Sequence, residues 1–319
     1  MSGDLDRAVD GPVDLHHHAI LPGYRRRLSA IGVRAQPGID FPGWSAEASL
    51  AMMDRLGIGT AVLSVASPGF YFGDQGFATS LCRDTNDELA AVVAGSGGRF
   101  RAFMAVPLPS AADAVAEVRR LAGRPGFAGV SLLSNYGGHY LGDPRFDPLL
   151  AELDGLGALV HVHPTLPPWW AEGAIDLRPS LLEYVFDTSR TLTSLVLAGV
   201  ADRHPGIRWV FSHCGGVVPF VAHRLAIAEP LPELARVGER GIEGTLREFR
   251  YDCALSASAS GLGALLSVVD ETRVVFGSDF PFVDEATVRA EIELLAGLGP
   301  RTGLAALGGN GRALLEGKQ

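Results

Sequence analysis

Lysine is almost absent from this sequence. The single one is Lys318, next to last of 319 residues, and every other permanently charged cation is an arginine. Chemistry that needs an interior lysine, such as a Schiff base or a carbamylated bridge, is thereby excluded. Cysteine is scarce too. Cys82, Cys214 and Cys253 are far apart and odd in number, which argues against a disulfide framework and for free thiols in the cytoplasm. No apolar run reaches the ~18 residues of a membrane span, and the acidic, polar start MSGDLDRAVDGPVD has no signal-peptide pattern. No Lys/Arg cluster stands beside stacking aromatics and the net charge is -9, so nucleic acid is not an expected partner. The one basic run, Arg25, Arg26 and Arg27, reads as a solvated helix face. Internal repeats and low-complexity tracts are missing as well.

What is present is ample apolar material in a recurring order. The chain is 47% hydrophobic and 20% charged, enough for a full-sized core. Short, nearly continuous apolar runs predict strands at Val13–His16, Thr60–Val65, Arg101–Val106, Ala128–Leu133, Ala158–Val162, Arg208–Phe211, Arg250–Cys253 and Arg273–Phe276. Helical spacing falls between them, at Glu47–Leu56, Phe77–Ala94, Ala111–Leu121, Phe146–Gly155, Ser180–Gly199, Val217–Ala228, Leu231–Phe249, Gly261–Val269 and Glu285–Leu295. Strands alternating with helices predict an α/β protein with a closed parallel (β/α)8 barrel, one domain over residues 1–319. An open doubly wound sheet would want a Gly-rich loop after the first strand, and DLHHHAI offers none.

The strand ends carry the chemistry. In Asp14-Leu15-His16-His17-His18, alternation turns His16 and His18 one way and His17 the other. His163 tips the fifth strand before a proline-rich loop, and His161, one layer deeper, reads as a hydrogen-bonded core histidine. The sixth strand runs into Ser212-His213-Cys214-Gly215-Gly216, where small residues permit a sharp turn that leaves the imidazole exposed. Asp279 is a lone ionisable residue after the apolar eighth strand. Parallel-barrel geometry puts all five at the same end, where such barrels keep their active sites. Imidazoles with one carboxylate suit Zn²⁺ or a similar first-row ion.

These motifs, VDLHHH at 13–18, HVHP at 161–164, FSHCGGVVPF at 211–220 and FGSDFPF at 276–282, resemble in order and strand placement those of the amidohydrolase superfamily. The likeness spans nearly the whole chain and is strongest to the amidohydrolase-related decarboxylases of aminocarboxymuconate semialdehyde, 6-methylsalicylate and γ-resorcylate. It implies His16, His18, His163 and Asp279 as metal ligands and His213 as a catalytic histidine beside them. It implies that Arg224 reaches the partner's active site in a homodimer and holds a substrate carboxylate there. Many relatives are binuclear hydrolases bridged by a carbamylated lysine on the fourth strand. Here that strand ends Ser131-Leu132-Leu133-Ser134-Asn135, which favours the mononuclear decarboxylases.

The resemblance therefore implies a non-oxidative decarboxylase of a small aromatic or unsaturated acid, most specifically a 2-hydroxybenzoate, using one divalent ion (Zn²⁺, with Mn²⁺ as the alternative) and no organic cofactor. Asp279 would be ligand and proton donor, and His213 would orient or deprotonate a water or the phenol. Trp44, Tyr71, Phe72, Tyr136, Trp169, Phe186 and Phe282 are candidate apolar walls for a ring, of which two or three would touch it. Two other readings use the same residues. One is mononuclear hydrolysis of a lactone, amide or ester with Asp279 as base; the other is a non-catalytic metal-stabilised barrel. Closed four-ligand shells are the habit of structural zinc sites, so polar residues gathered around an open position argue against the latter.

Overall fold

The computed structural model describes residues 9–36 and 39–317, so the first eight residues and Lys318 lie outside the described part. Eight strands form one parallel sheet: β1 Val13–His18, β2 Thr60–Ser64, β3 Phe100–Met104, β4 Phe127–Leu133, β5 Leu159–His163, β6 Arg208–Phe211, β7 Arg250–Asp252 and β8 Val274–Val275. Each strand pairs with its sequence neighbour. The ring closes where the Leu15 N–H donates to the Phe276 carbonyl at 2.9 Å and Asp279 N–H to the His16 carbonyl at 2.9 Å. The sheet is thus the predicted barrel and not a doubly wound layer.

Alternation along the strands separates two apolar layers. Val13, Leu15, Val62, Phe103, Leu159, Val210 and Val275 fill the lower barrel interior. Their neighbours of opposite parity, such as Ala61, Leu63, Val160, Val162, Phe211 and Tyr251, face the surrounding helices. On β1 this parity changes. Pairing with β2 runs Asp14 to Ala61 but His17 to Leu63, an extra residue on the β1 side. Leu15 can then sit in the inner layer while His16 and His18 also point inward above it.

The predicted helices are present with one correction. Leu231–Phe249 is not continuous: a 3-10 turn at Pro232–Leu234 is followed by a separate helix, Gly241–Glu248. Gly241 sits at φ +68, where its Cβ-free backbone turns the chain at the start of the helix. Helices Val200–Arg203 and Leu304–Leu315 were not predicted, and Pro22–Ala30 was anticipated only as a solvated helix face at its arginine run. In that run Arg25 and Arg26 are solvated, and Arg27 pairs with Asp84. Two short antiparallel strand pairs, Ala35–Gln36 with Ile39–Asp40 and Asn135–Tyr136 with His139–Tyr140, stand outside the barrel sheet. Among the described residues no helix is long and apolar enough to cross a membrane.

Candidate metal centre and active site

Two strand tips and one loop converge at the C-terminal end of the barrel. His16 and His18 close β1, His163 closes β5, and Asp279 follows β8. All four are buried, and their ligand atoms lie within 4.8 Å of one another. The Nδ1 atoms are engaged on the far sides of the rings. That of His163 donates to the Pro164 carbonyl at 2.8 Å, that of His16 meets Asp252 Oδ2 at 3.0 Å, and that of His18 meets Ser64 Oγ at 3.1 Å. With Nδ1 carrying the hydrogen, each Nε2 presents a lone pair inward. His16 Nε2 stands 2.9 Å from His18 Nε2, and Asp279 Oδ1 lies 2.9 Å from the latter and 3.4 Å from the former. Electron-rich atoms packed this closely in a buried place need a proton or a cation among them. The donor set therefore fits a divalent ion.

The proton affinities agree. Burial lowers His16, but the Asp252 and Asp279 carboxylates outweigh it and raise the group to about 10. Burial pushes His18 down to about 4 and His163 well below its ordinary value. Burial would raise Asp279, but bonds from His16 and His18 hold it well below the carboxylate range. One proton among the carboxylates, with the other rings neutral, is the arrangement a metal ion displaces on binding.

Asp252, at the end of β7, organises this shell and was not singled out from the sequence. It is fully buried. Its Oδ2 meets His16 Nδ1 and His161 Nε2, each at 3.0 Å, and its Oδ1 accepts the backbone N–H of His213 at 3.0 Å and of Ala254 at 3.1 Å. Burial would raise its carboxyl, but the His16 charge and these bonds hold it well below the usual range. His161 is the core histidine predicted: it bonds Asp252 and stacks on Phe103 at 5.3 Å. A second constraint is Gly277, where an added Cβ would lie 2.6 Å from His16 Cβ and 3.2 Å from Asp252. Only glycine allows β8 to approach both.

His213 differs from its expected exposure. It is 9% exposed, with Nδ1 donating to the Ala254 carbonyl at 2.8 Å, so its Nε2 is left to face the cavity. His213 and Cys214 have φ of +54 and +57, and Gly215 and Gly216 continue in the same region. This left-handed run turns the chain off β6 and folds the imidazole back over the barrel instead of out to solvent. Asp279 is held in the same way at φ +57.

The cluster opens into a cavity of about 220 Å³ lined by His163, His213, Asp279, Phe282, Tyr184 and Val185, and also by Gln36, Ile39 and Arg178. That is below the ~300–1,000 Å³ typical of drug-sized ligands, and suits a single ring. Phe282 also meets the His18 ring edge at 5.2 Å. Two other expected walls are corrected. Trp44 does not line the cavity; its Nε1 donates to Ser49 Oγ at 3.0 Å, on the outer side of β1, where Ser49 also meets His17 at 2.9 Å. Tyr136 packs on Phe146, and its hydroxyl oxygen accepts the Leu133 N–H at 2.9 Å. Tyr71, Phe72, Trp169 and Phe186 are outside the cavity as well. Tyr184 takes their place, fixed by a 2.6 Å bond to Gln36 Oε1. Arg224 lies exposed on helix Val218–Ala226 and does not line this cavity.

Fold and cluster together define a metal-site barrel, and comparison with known proteins names its class. The family model described as amidohydrolase matches residues 13–316. The chain is 34% identical over 277 residues to the 6-methylsalicylic acid decarboxylase of Aspergillus aculeatus, covering 84% of each chain. It is 31% identical over 274 residues to the 6-methylsalicylic acid decarboxylase of Penicillium expansum, again covering 84% of each. The solved dihydroxybenzoic acid decarboxylase of Polaromonas sp. JS666, with bound manganese and the inhibitor 2-nitroresorcinol, superposes with a TM-score of 0.83 at 20% identity, covering 96% of this chain and 97% of that one. This chain belongs to the amidohydrolase family.

Proposed function

We propose that the protein is a metal-dependent, non-oxidative decarboxylase of a small aromatic acid, most specifically a 2-hydroxybenzoate. The observation that carries the reading is the buried four-donor cluster of His16, His18, His163 and Asp279 opening into a ring-sized cavity. The likeness to two 6-methylsalicylic acid decarboxylases supports the same substrate class. Three imidazoles and one carboxylate suit Zn²⁺, with Mn²⁺ as the alternative. Bound there, the ion would supply a Lewis acid for the carboxylate and neighbouring hydroxyl of the substrate.

The chain's own groups would do the rest. Asp279 is held charged in the resting site, so any proton it donates is first gained on substrate binding, and the phenolic hydroxyl is the natural source. Returned to the ring carbon that bears the carboxylate, that proton makes the new C–H bond. The carbon–carbon pair then goes back into the ring and carbon dioxide departs; solvent reprotonates the phenolate. The Nε2 of His213 faces the cavity as an acceptor able to orient the phenol or a water. Phe282 and Tyr184 would hold the ring between them, and no step needs an organic cofactor. Arg178, an exposed residue that lines the cavity, supplies a cation within the same subunit. Arg224, exposed on its helix, would serve the partner's site in a homodimer. The three thiols, all buried and unbridged, support a reducing compartment such as the cytoplasm.

The test is metal analysis of the purified protein joined to a screen of 2-hydroxybenzoates for carbon dioxide release. Release from salicylate-type acids in proportion to metal content is expected. Hydrolysis of lactones or esters with no carbon dioxide from any acid would overturn the reading in favour of a mononuclear hydrolase.

A further inference from the structure

The other end of the barrel gathers arginines. Arg208 begins β6, Arg250 begins β7, and Arg273 immediately precedes β8. Because the strands are parallel, all three stand at the N-terminal face, opposite the metal centre. With Arg240, His204 and Glu248 they surround a cavity of about 130 Å³.

The charges there do not cancel, in a chain whose net charge is -9. Arg240 is held by Asp202, with Nη2 at 2.6 Å from Oδ1. Among the described residues Arg208 is tied only to carbonyls, of Gly157 at 3.2 Å and Leu314 at 2.8 Å, which fix its position without offsetting its charge. Arg273 meets Glu248 loosely, with Nη2 at 3.7 Å from Oε2 and Nη1 at 3.3 Å from the carbonyl. The Arg250 guanidinium makes no hydrogen bond or ion pair with any described residue. Among the described residues Glu248 is the only acidic group lining the cavity, and its side chain is 52% exposed. His204 adds a buried Nε2 with no hydrogen-bond partner. Burial, and then the like charges of Arg273 and Arg208, push Arg250 below its usual value, although a guanidinium remains a cation at neutral pH. Like charges held together in a half-buried hole are unfavourable unless an anion joins them.

We propose that this cavity binds a compact oxyanion, phosphate or the phosphate group of a small metabolite, through Arg208, Arg250 and Arg273, with His204 as a further partner. Guanidinium forks match the geometry of tetrahedral oxyanions. The volume, several times that needed for one water, takes a single such group. The bound anion would bridge the starts of three consecutive strands, so it binds the folded barrel and not the unfolded chain.

Calorimetric titration of the metal-loaded full-length protein with inorganic phosphate, against chloride at equal ionic strength, tests this. Saturable phosphate binding is expected, together with a phosphate-dependent rise in Tm. Arg250→Gln and Arg273→Gln should each weaken it roughly ten-fold or more, because a charge-assisted hydrogen bond is lost. Arg250→Lys, which keeps the charge and loses the fork, should fall between, and Arg25→Gln should bind as the wild type does. Metal content and Tm in phosphate-free buffer identify any variant that fails to fold. Glycerol 3-phosphate distinguishes the sources: tighter binding than phosphate points to a phosphorylated metabolite, and equal or weaker binding to the free ion, both supporting the site. Phosphate heats no larger than those of chloride would overturn it. So would wild-type phosphate affinity in a folded Arg250→Gln protein, because the ion would then sit elsewhere, the metal centre included.

Discussion

The Oδ2 atom of Asp252 lies 3.0 Å from Nδ1 of His16, so a buried carboxylate on β7 sets the tautomer of an imidazole on β1. The same carboxylate accepts four donors in all, two from histidine rings and two from the backbone. It thereby ties the inward lone pair of His16 to the turn that places His213.

Asp252→Asn should accordingly weaken metal binding by about 10–100-fold, the usual effect of removing a partner behind a ligand histidine. An asparagine amide must turn its NH₂ toward either the two backbone donors, which cannot accept, or the two rings, which accept only if their tautomers reverse and the His16 lone pair no longer faces inward. Metal titration of the stripped protein measures the change. Unaltered affinity would mean that His16 is oriented by the cluster itself and not by Asp252.

Gly277→Ala acts on the same pair from the segment that follows β8. Its methyl would meet His16 Cβ at 2.6 Å, a separation that neither strand can keep. The expected result is about 1–3 kcal/mol of lost stability from overpacking, with reduced metal content at a fixed metal supply. Thermal unfolding and metal analysis together check it, and a variant that is destabilised yet binds metal normally would place the strain elsewhere.

Much of this site was legible because β5 alternates cleanly. LVHVH puts His161 and His163 on the inner face, and the structure has both there. Strand β1 was harder. Simple alternation separated His17 from its neighbours, but it could not show the extra residue by which Leu15 and His16 both face inward and Asp14 reaches His17 at 3.0 Å. Asp252 escaped notice because a single aspartate after Arg250-Tyr251 looks like an ordinary strand end; only the closed barrel brings it beneath His16. Which of the candidate aromatics line the cavity was hidden for a similar reason. Trp44 and Phe282 are both large apolar residues near strand ends, and which one faces the cavity depends on loop paths that local pattern does not encode. Apolar spacing also ran through Leu231–Phe249, where Pro232 and Gly241 divide the segment.

Asp187 illustrates a carboxylate doing structural work near the cavity. Buried on helix Glu183–Leu197, it accepts Asn135 Nδ2 and Tyr140 Oη, each at 2.8 Å, and the Ser134 hydroxyl. Burial raises its carboxyl, and the three donors offset part of that. Asp187→Asn leaves one donor facing an NH₂ group, so stability should fall by about 1–3 kcal/mol while the metal centre is unaffected. Denaturant unfolding beside metal analysis separates this outcome from a role in the metal site, which would lower both.

Arg224 does not line its own subunit's cavity, and the homodimer reading gives it a place across the interface. Mixed Arg224→Ala and Asp279→Asn subunits, each inactive alone, should regain activity on exchange, because a hybrid dimer holds one intact site. Exchange verified by differential tagging with no recovered activity would remove Arg224 from the partner's site.

The division of labour between Asp279 and His213 is open to a direct test. Asp279 is both a cluster member and the proposed proton carrier, whereas His213 turns its Nδ1 to the Ala254 carbonyl and offers only Nε2. Asp279→Asn keeps an oxygen toward the ion but cannot carry a carboxyl proton, so it should retain part of its metal and lose nearly all turnover. His213→Ala leaves all four donors in place and should keep its metal. General acid–base groups are worth about 100- to 10,000-fold, so a rate loss within that range is expected for either variant. Solvent isotope separates them. Wild-type product formed in heavy water should carry one deuterium at the former carboxylate position. Metal-loaded Asp279→Asn should form product at least ~100-fold more slowly than the wild type, and His213→Ala should form it slowly with the same single deuterium. Near-normal decarboxylation by metal-loaded Asp279→Asn would transfer the proton to His213 or to water, since in that protein no carboxyl group remains in the cluster to deliver it.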